Sequence, residues 1–132
     1  MQFYFEEDNN QIEIKNPQFE NVKSYLGEMD GKTASYCTYE LNDIHYVQCA
    51  GSKNGMTIEF RKQTDNGFRH FVLGYKSLIK TKIELPYSGG KIQVRSNEVI
   101  SVADAKEVFF TFHSDQKVPE GFVLRETTEM FY

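Results

Sequence analysis

The chain has no tryptophan, two cysteines and three prolines, and none of its apolar runs reaches the length that spans a membrane. Cys37 and Cys49 form no CxxC and have no neighbouring His cluster, which excludes the usual zinc spacings. Both lie inside apolar strand patterns and read as small buried hydrophobes. There is no basic excess either: the net charge of −4 argues against a general nucleic-acid binder. The opening MQFYFEEDNN lacks the basic and apolar regions of a signal peptide, so the expected location is the cytoplasm, with no membrane partner.

Catalytic motifs are missing as well. Gly51-Ser52-Lys53-Asn54-Gly55 superficially resembles a phosphate-cradling loop, but it lacks the GK[ST] ending and is followed by a strand pattern, so it reads as a wide hairpin turn. No Ser sits in a GxSxG elbow. The three histidines are isolated, His45 and His70 in strand patterns and His113 at the end of a helix, where the dipole favours it. Carboxylate pairs such as Glu6/Glu7 and Glu126/Glu129 are common in a chain with 19 acids, and catalytic acids need burial or coupling that the sequence does not show. No enzyme activity, cofactor or metal is expected.

What is present is aromatic: eleven Phe and eight Tyr, 14% of residues with no Trp, a composition that favours strands. At 132 residues one domain is expected, burying roughly two thirds of its unfolded surface. Charge is uneven, with residues 1–60 at net −6, 61–95 at +6 and 96–132 at −4. Two readings stand: solvated faces that intermix on folding, or two separated fields, one able to steer a basic partner.

The strongest pattern is an antiparallel meander from Ala34 to Tyr75, four apolar-aromatic runs separated by Asn/Asp/Gly/Ser clusters. Its second hairpin places Met56, Ile58, Phe60, Phe71 and Leu73 on one face, the expected core, with Thr57, Glu59 and Arg61 outward. The register of the 36–41/44–50 hairpin stays open. A two-residue loop sets Cys37, Tyr39 and Leu41 with Ile44, Tyr46 and Gln48, whereas a three-residue loop sets them with His45, Val47 and Cys49. Before the meander, 2–5 and 11–15 are placed to form a hairpin. Asn16-Pro17 then signals a helix over 17–29, with Phe19, Val22, Leu26 and Met29 as its stripe and Gly31 as its cap. After the meander, 78–85 with Ile79, Ile83 and Leu85, and 91–95, read as strands. Ser101 caps a second helix buried through Ala105, Val108, Phe109 and Phe112. Phe122–Arg125 is a last short strand, and TTEMFY reads as a tail. The fold class is α+β, an antiparallel meander sheet of six to eight strands with two helices packed on one face.

The order of these pieces resembles immunity protein family one of bacterial polymorphic toxin systems. The resemblance covers about residues 11–131. It rests on the early helix ending Met29-Asp30-Gly31, on Val47 and Gly51 followed by the Ile58-Glu59-Phe60 strand, and on the late helix followed by Val118-Pro119-Glu120-Gly121 and a strand. Ala50-Gly51-Ser52 stands where the family commonly has a run of glycines. The resemblance implies a cytoplasmic bacterial protein that binds the C-terminal domain of a cognate toxin and occludes its active site. The toxins of such families include nucleases and deaminases. Acidic residues beside aromatics suit a basic protein partner. The candidate partner-binding residues are therefore Glu6, Glu7, Asp8, Glu126, Glu129 and Tyr132 at the chain ends, with Lys53, Asn54 and Glu59 from the meander. Two other classes are weighed: a cone-like small-ligand binder or enzyme of the nuclear-transport-factor-two-like class, which needs a deep apolar pocket holding His45 or His70 with a carboxylate neighbour, and a scaffold subunit without a toxin.

Overall fold

The computed structural model describes residues 1–132. Nine strands and two helices follow in the order β1 (Gln2–Glu7), β2 (Asn10–Lys15), α1 (Phe19–Glu28), β3 (Tyr36–Asn42), β4 (His45–Ser52), β5 (Gly55–Thr64), β6 (Gly67–Gly74), β7 (Lys82–Tyr87), β8 (Gly90–Arg95), α2 (Val102–Asp115) and β9 (Val123–Glu126). A 3-10 turn, Thr128–Phe131, closes the chain. Seven strands form one antiparallel sheet in the order β2-β1-β3-β4-β5-β6-β9, and β7-β8 is a separate hairpin. The α+β class and the meander from β3 to β6 are as the alternation of residues implies.

Period-two alternation sends Phe3 and Phe5, Cys37 and Tyr39, Val47 and Cys49, Ile58 and Phe60, and Phe71 and Leu73 to one face. Val22, Tyr25, Leu26 and Met29 of the α1 segment and Ala105, Val108, Phe109 and Phe112 of α2 cover that face as one core. Fully burying each such side chain contributes about 1.5–3 kcal/mol. The expected core of Met56, Ile58, Phe60, Phe71 and Leu73 is all buried. Cys37 and Cys49 are free thiols directly opposite each other, with their sulfurs 3.3 Å apart. Burial pushes the Cys37 thiol up.

The open register resolves in favour of Cys37 opposite Cys49 and Tyr39 opposite Val47, with an irregularity between Glu40 and Asn42. That bulge lets Leu41 turn out to solvent, and Asn42 Oδ1 accepts the Ile44 amide to tighten the turn.

Four local expectations are corrected. Asn16 does not cap α1. It lies at φ 50°, its Oδ1 accepts from the chain's first amino group, and the helix starts at Phe19 behind an uncapped Gln18. The chain past α1 turns on Asp30, whose Oδ1 accepts the amides of Lys32, Thr33 and Ala34, rather than on Gly31 alone. The 78–85 strand begins only at Lys82. Ser77 bonds the Ile79 amide, while Ser96 takes the carbonyls of Ile79 and Thr81, which leaves Leu78 and Ile79 exposed in a pinned loop. The TTEMFY segment is not a tail but folds back as the 3-10 turn, through Thr127 N donating to His70 O at 2.8 Å.

The β7-β8 hairpin crosses the face of the sheet opposite the helices. Ser88 N donates to Ser35 Oγ at 2.9 Å, and Ile92 and Val94 border a cleft shared with Thr57, Glu59 and Val72 of the outer face. No helix is long and apolar enough to cross a membrane.

Gly51 is the backbone position with least latitude. It lies at φ 132°, and a Cβ there would sit 2.6 Å from the Gly55 carbonyl oxygen and 2.9 Å from Met56 Cα. Gly51→Ala is expected to destabilise the fold by about 2 kcal/mol or more, read as a lower urea midpoint at unchanged slope. The neighbouring exposed Lys53→Ala stays within about 0.5 kcal/mol of the parent.

Candidate functional site

The outer face of β5 and β6 carries polar groups that the β7-β8 hairpin and the C-terminal turn partly cover, so the covered ones must find partners in the protein. Strand register sets Gln48 opposite Glu59, Arg61 opposite His70, and Val72 opposite Arg125. Gln48 Nε2 donates to Glu59 Oε2 at 2.8 Å, and His70 Nε2 lies 2.9 Å from Glu59 Oε1. Arg61 Nε donates to His70 Nδ1 at 3.0 Å. Since Nδ1 accepts, the hydrogen-bond pattern assigns the ring proton to Nε2, and His70 is the neutral imidazole that donates to Glu59. His70 is fully buried. Burial alone pushes the Glu59 carboxyl up, but the bonds from His70 and Gln48 and the Arg61 charge outweigh it and hold it below the ordinary carboxylate value.

The C-terminal turn closes this network. His70 N donates to Thr128 Oγ1 at 2.9 Å, and the Phe131 ring lies 4.5 Å from the His70 ring. The Arg61 guanidinium carbon sits 3.9 Å from the Phe68 ring centre, 4.4 Å from Phe131 and 5.2 Å from Tyr46. Tyr132 stacks on Phe68 at 5.4 Å. The result is a surface of Phe68, Met130, Phe131 and Tyr132, the last three exposed, with Glu126 and Glu129 bordering Met130; Arg69, which pairs with Glu126, alternates to the other face of β6, over Phe71. Arg69 makes two hydrogen bonds to Glu126, at 2.7 and 3.1 Å. Those bonds and the Thr128 hydroxyl pull the Glu126 carboxyl down to about 2. The pair is exposed and adds little to stability.

A cleft of 250 Å³ lies between the outer face, β8 and the turn, bordered among others by Thr57, Glu59, Val94, Arg125, Thr127 and Phe131. Arg125 is committed to Glu98, with bonds of 2.7 and 2.9 Å to the two carboxylate oxygens. Glu98 is only 2% exposed. Burial pushes the Glu98 carboxyl up, yet Arg125 and the Arg95 amide outweigh it and hold the carboxyl low.

A larger opening of 620 Å³ lies at the other side of the β5-β6 turn and contains His45 with Asp65 and Asp115 on its rim. Both His45 nitrogens are engaged by backbone, Nδ1 by the Gln63 amide at 3.0 Å and Nε2 by the Gln116 carbonyl at 2.7 Å. His113 Nδ1 is engaged by the Tyr39 hydroxyl.

The expected partner-binding residues divide into two groups. Glu59, Glu126, Glu129 and Tyr132 converge on the β5-β6-β9 region. Glu7 and Asp8 at the β1-β2 turn, and Lys53 and Asn54 at the β4-β5 turn, are exposed at the opposite end of the sheet. β1 and β9 stand five strand spacings apart, about 24 Å, so the two acidic chain ends do not form one surface. Glu6 is corrected outright. It is 3% exposed, and its Oε1 accepts the Ser35 amide at 2.9 Å and the Ser35 hydroxyl at 2.6 Å, so it braces the chain entering β3. Phe68 and Thr127 are not foreseen, and Arg61, His70 and Phe131, singled out separately in the sequence, are not foreseen as one cluster. The alternation of FRHF does put Phe68 and His70 on one outer face, but nothing local brings Phe131 onto them. No protein-family model matches the chain, and no curated protein is significantly similar to it.

The low Glu98 and Glu59 values carry a pH dependence. Carboxyls held low in the fold stabilise it fully above the ordinary value of about 4.3, and that contribution is lost as pH falls through their depressed values. Glu98→Gln leaves Arg125 without its countercharge and should cost about 3 kcal/mol at neutral pH. Urea midpoints measured across the acid range should fall less steeply with acidification in Glu98→Gln than in the parent.

Proposed function

We propose that the chain is an immunity protein of a bacterial toxin system: a cytoplasmic binding protein that grips the C-terminal domain of a cognate toxin and blocks its active site without catalysis. The observation that carries this reading is the C-terminal surface. Met130, Phe131 and Tyr132 are exposed yet held on a hydrogen-bonded base, with Arg61 beneath the rings and Glu126 and Glu129 bordering Met130. Aromatic residues, Met and Arg inside a charged rim are the composition of protein–protein contact surfaces, and a few such anchors carry most of the binding energy. The family resemblance over residues 11–131 and the net charge of −4 point the same way, the latter toward a basic partner such as a nucleic-acid-processing toxin.

The histidines support a binder over a catalyst. Of the His70–Glu59 pair, the imidazole is fully buried beneath Phe131 and both its nitrogens are engaged by Arg61 and Glu59, and the histidine in the larger opening, His45, has both nitrogens tied to backbone. The small-ligand reading needs a histidine free to act beside a carboxylate in an open pocket; His45 shares the larger opening with Asp65 and Asp115 but is bonded to backbone at both nitrogens, and His70, paired with Glu59, is fully buried.

The test is co-expression with the toxin encoded by the neighbouring gene. The chain is expected to restore growth and to co-purify with the toxin domain. If it does neither, the proposal fails. Phe131→Ala combined with Tyr132→Ala is expected to weaken the complex by about 2 kcal/mol or more, some thirtyfold in Kd by titration calorimetry.

A further inference from the structure

The 250 Å³ cleft holds two groups whose chemistry the fold leaves incomplete. One is Glu59. Its two oxygens accept from His70 and Gln48, and both donors are neutral. No ammonium or guanidinium lies within ion-pair distance of it. Arg125 is bound twice by Glu98, and Arg61 is turned onto His70 between the Phe68 and Phe131 rings, so both act on Glu59 only from further away. Yet 31% of the Glu59 side chain is open, and the residue borders the cleft. The other group is Thr127, 8% exposed, whose Oγ1 is buried on the cleft wall with no hydrogen-bond partner. An orphaned buried hydroxyl is a standing cost unless a ligand meets it.

We propose that this cleft takes an alkylammonium or guanidinium group, delivered as a lysine or arginine side chain of the bound protein partner. The identity of the partner rests on the reading above; the cation preference rests on the cleft alone. The N–H donors of such a group meet the Glu59 carboxylate, Thr57 offers a hydroxyl on the same wall, and the Thr127 hydroxyl, itself closed to solvent, gains its missing partner when the occupant displaces the wall. Val72, Ile92, Val94 and Met130 supply apolar wall for the methylene stem. The volume lies below the range of drug-sized sites and suits one side chain. A bare metal ion is a poorer occupant, since such ions take three or more protein ligands and the cleft offers one unpaired carboxylate. An anion meets the wrong charge at Glu59.

The test uses the full chain alone. Amide shifts in ¹⁵N-¹H spectra are followed during titration with n-butylamine, Nα-acetyl-L-lysine methylamide, putrescine and, as the uncharged control, n-butanol. Both butylamine and the acetyl-lysine amide are expected to shift the amides of Glu59, Ile92 and Thr127, with butanol much weaker and added salt reducing the effect. Glu59→Gln should weaken amine binding by roughly tenfold or more. Thr127→Val should weaken it severalfold while leaving Tm unchanged or raised, because it removes an unpartnered hydroxyl. A merely structural Thr127 would lower Tm or leave binding unmoved. Equal binding of butanol, or unchanged amine affinity in both variants, overturns the cation site. Binding of putrescine without the acetyl-lysine amide overturns the partner side chain as its source. None of these results depends on a toxin being captured, so this proposal and the immunity reading fail separately.

Discussion

A pleated sheet has two faces, and in this chain the second is partly covered too, most closely over β5 and β6. Seven strands cannot bury both faces with two short helices, which cover only the apolar side through Val22, Leu26, Val108, Phe109 and Phe112. The second face is covered by chain that the sheet does not need for its own pairing: the β7-β8 hairpin and the turn after β9. Every feature of the candidate site follows from that second cover. Alternation sends Gln48, Glu59, Arg61 and His70 of β4, β5 and β6 outward, and where they are covered they must satisfy one another.

The outcome on that face is a chain of directed bonds rather than a second apolar core. Gln48, Glu59, His70 and Arg61 form one series in which each member fixes the next, and the neutral tautomer of His70 is a consequence of its two neighbours. Arg125 and Glu98 form a second, tighter pair that ties β9 to the segment before α2. Buried pairs of this kind add little net stability over apolar packing but are costly to break singly, so they fix where the last strand and the closing turn sit. Where the series stops, Glu59 has an open side on a cavity and the neighbouring Thr127 hydroxyl is buried without a partner.

What was legible in the sequence is what local periodicity encodes. The alternation of Met56, Ile58 and Phe60 against Phe71 and Leu73, and the helical stripes of α1 and α2, identified the sheet face and its cover, because each pattern lies within one element. Less was legible wherever a residue's environment is set by a distant segment. Glu6 looked like surface charge, but it is buried by Ser35, 29 residues on. Leu78 and Ile79 looked like strand residues, but Ser77 and Ser96 take the backbone groups that a ladder would use. Glu59, Glu126, Glu129 and Tyr132, expected at a partner surface from acids lying beside aromatics and from the outward strand face, lie in the β5-β6-β9 region. Arg61 and His70 meet through the register of the β5-β6 hairpin, but their joining with Phe131 was missed, since it depends on β9 pairing with β6 and not on any spacing within the chain.

The second cover also bears on how such a surface binds. An exposed aromatic on a loose tail must be ordered when a partner arrives, and that ordering opposes binding by about 0.5–1.5 kcal/mol per side chain. Here Tyr132 is already stacked on Phe68, Phe131 is seated against His70, and Arg61 is held between rings. Their entropy has been lost in folding. The network beneath the C-terminal turn therefore does two things at once: it satisfies the polar face of the sheet, and it presents rigid anchors at the surface. For a protein proposed to neutralise a toxin, that coupling matters because tight inhibition comes from anchors that need no rearrangement, and the same bonds that hold the last strand in place supply them.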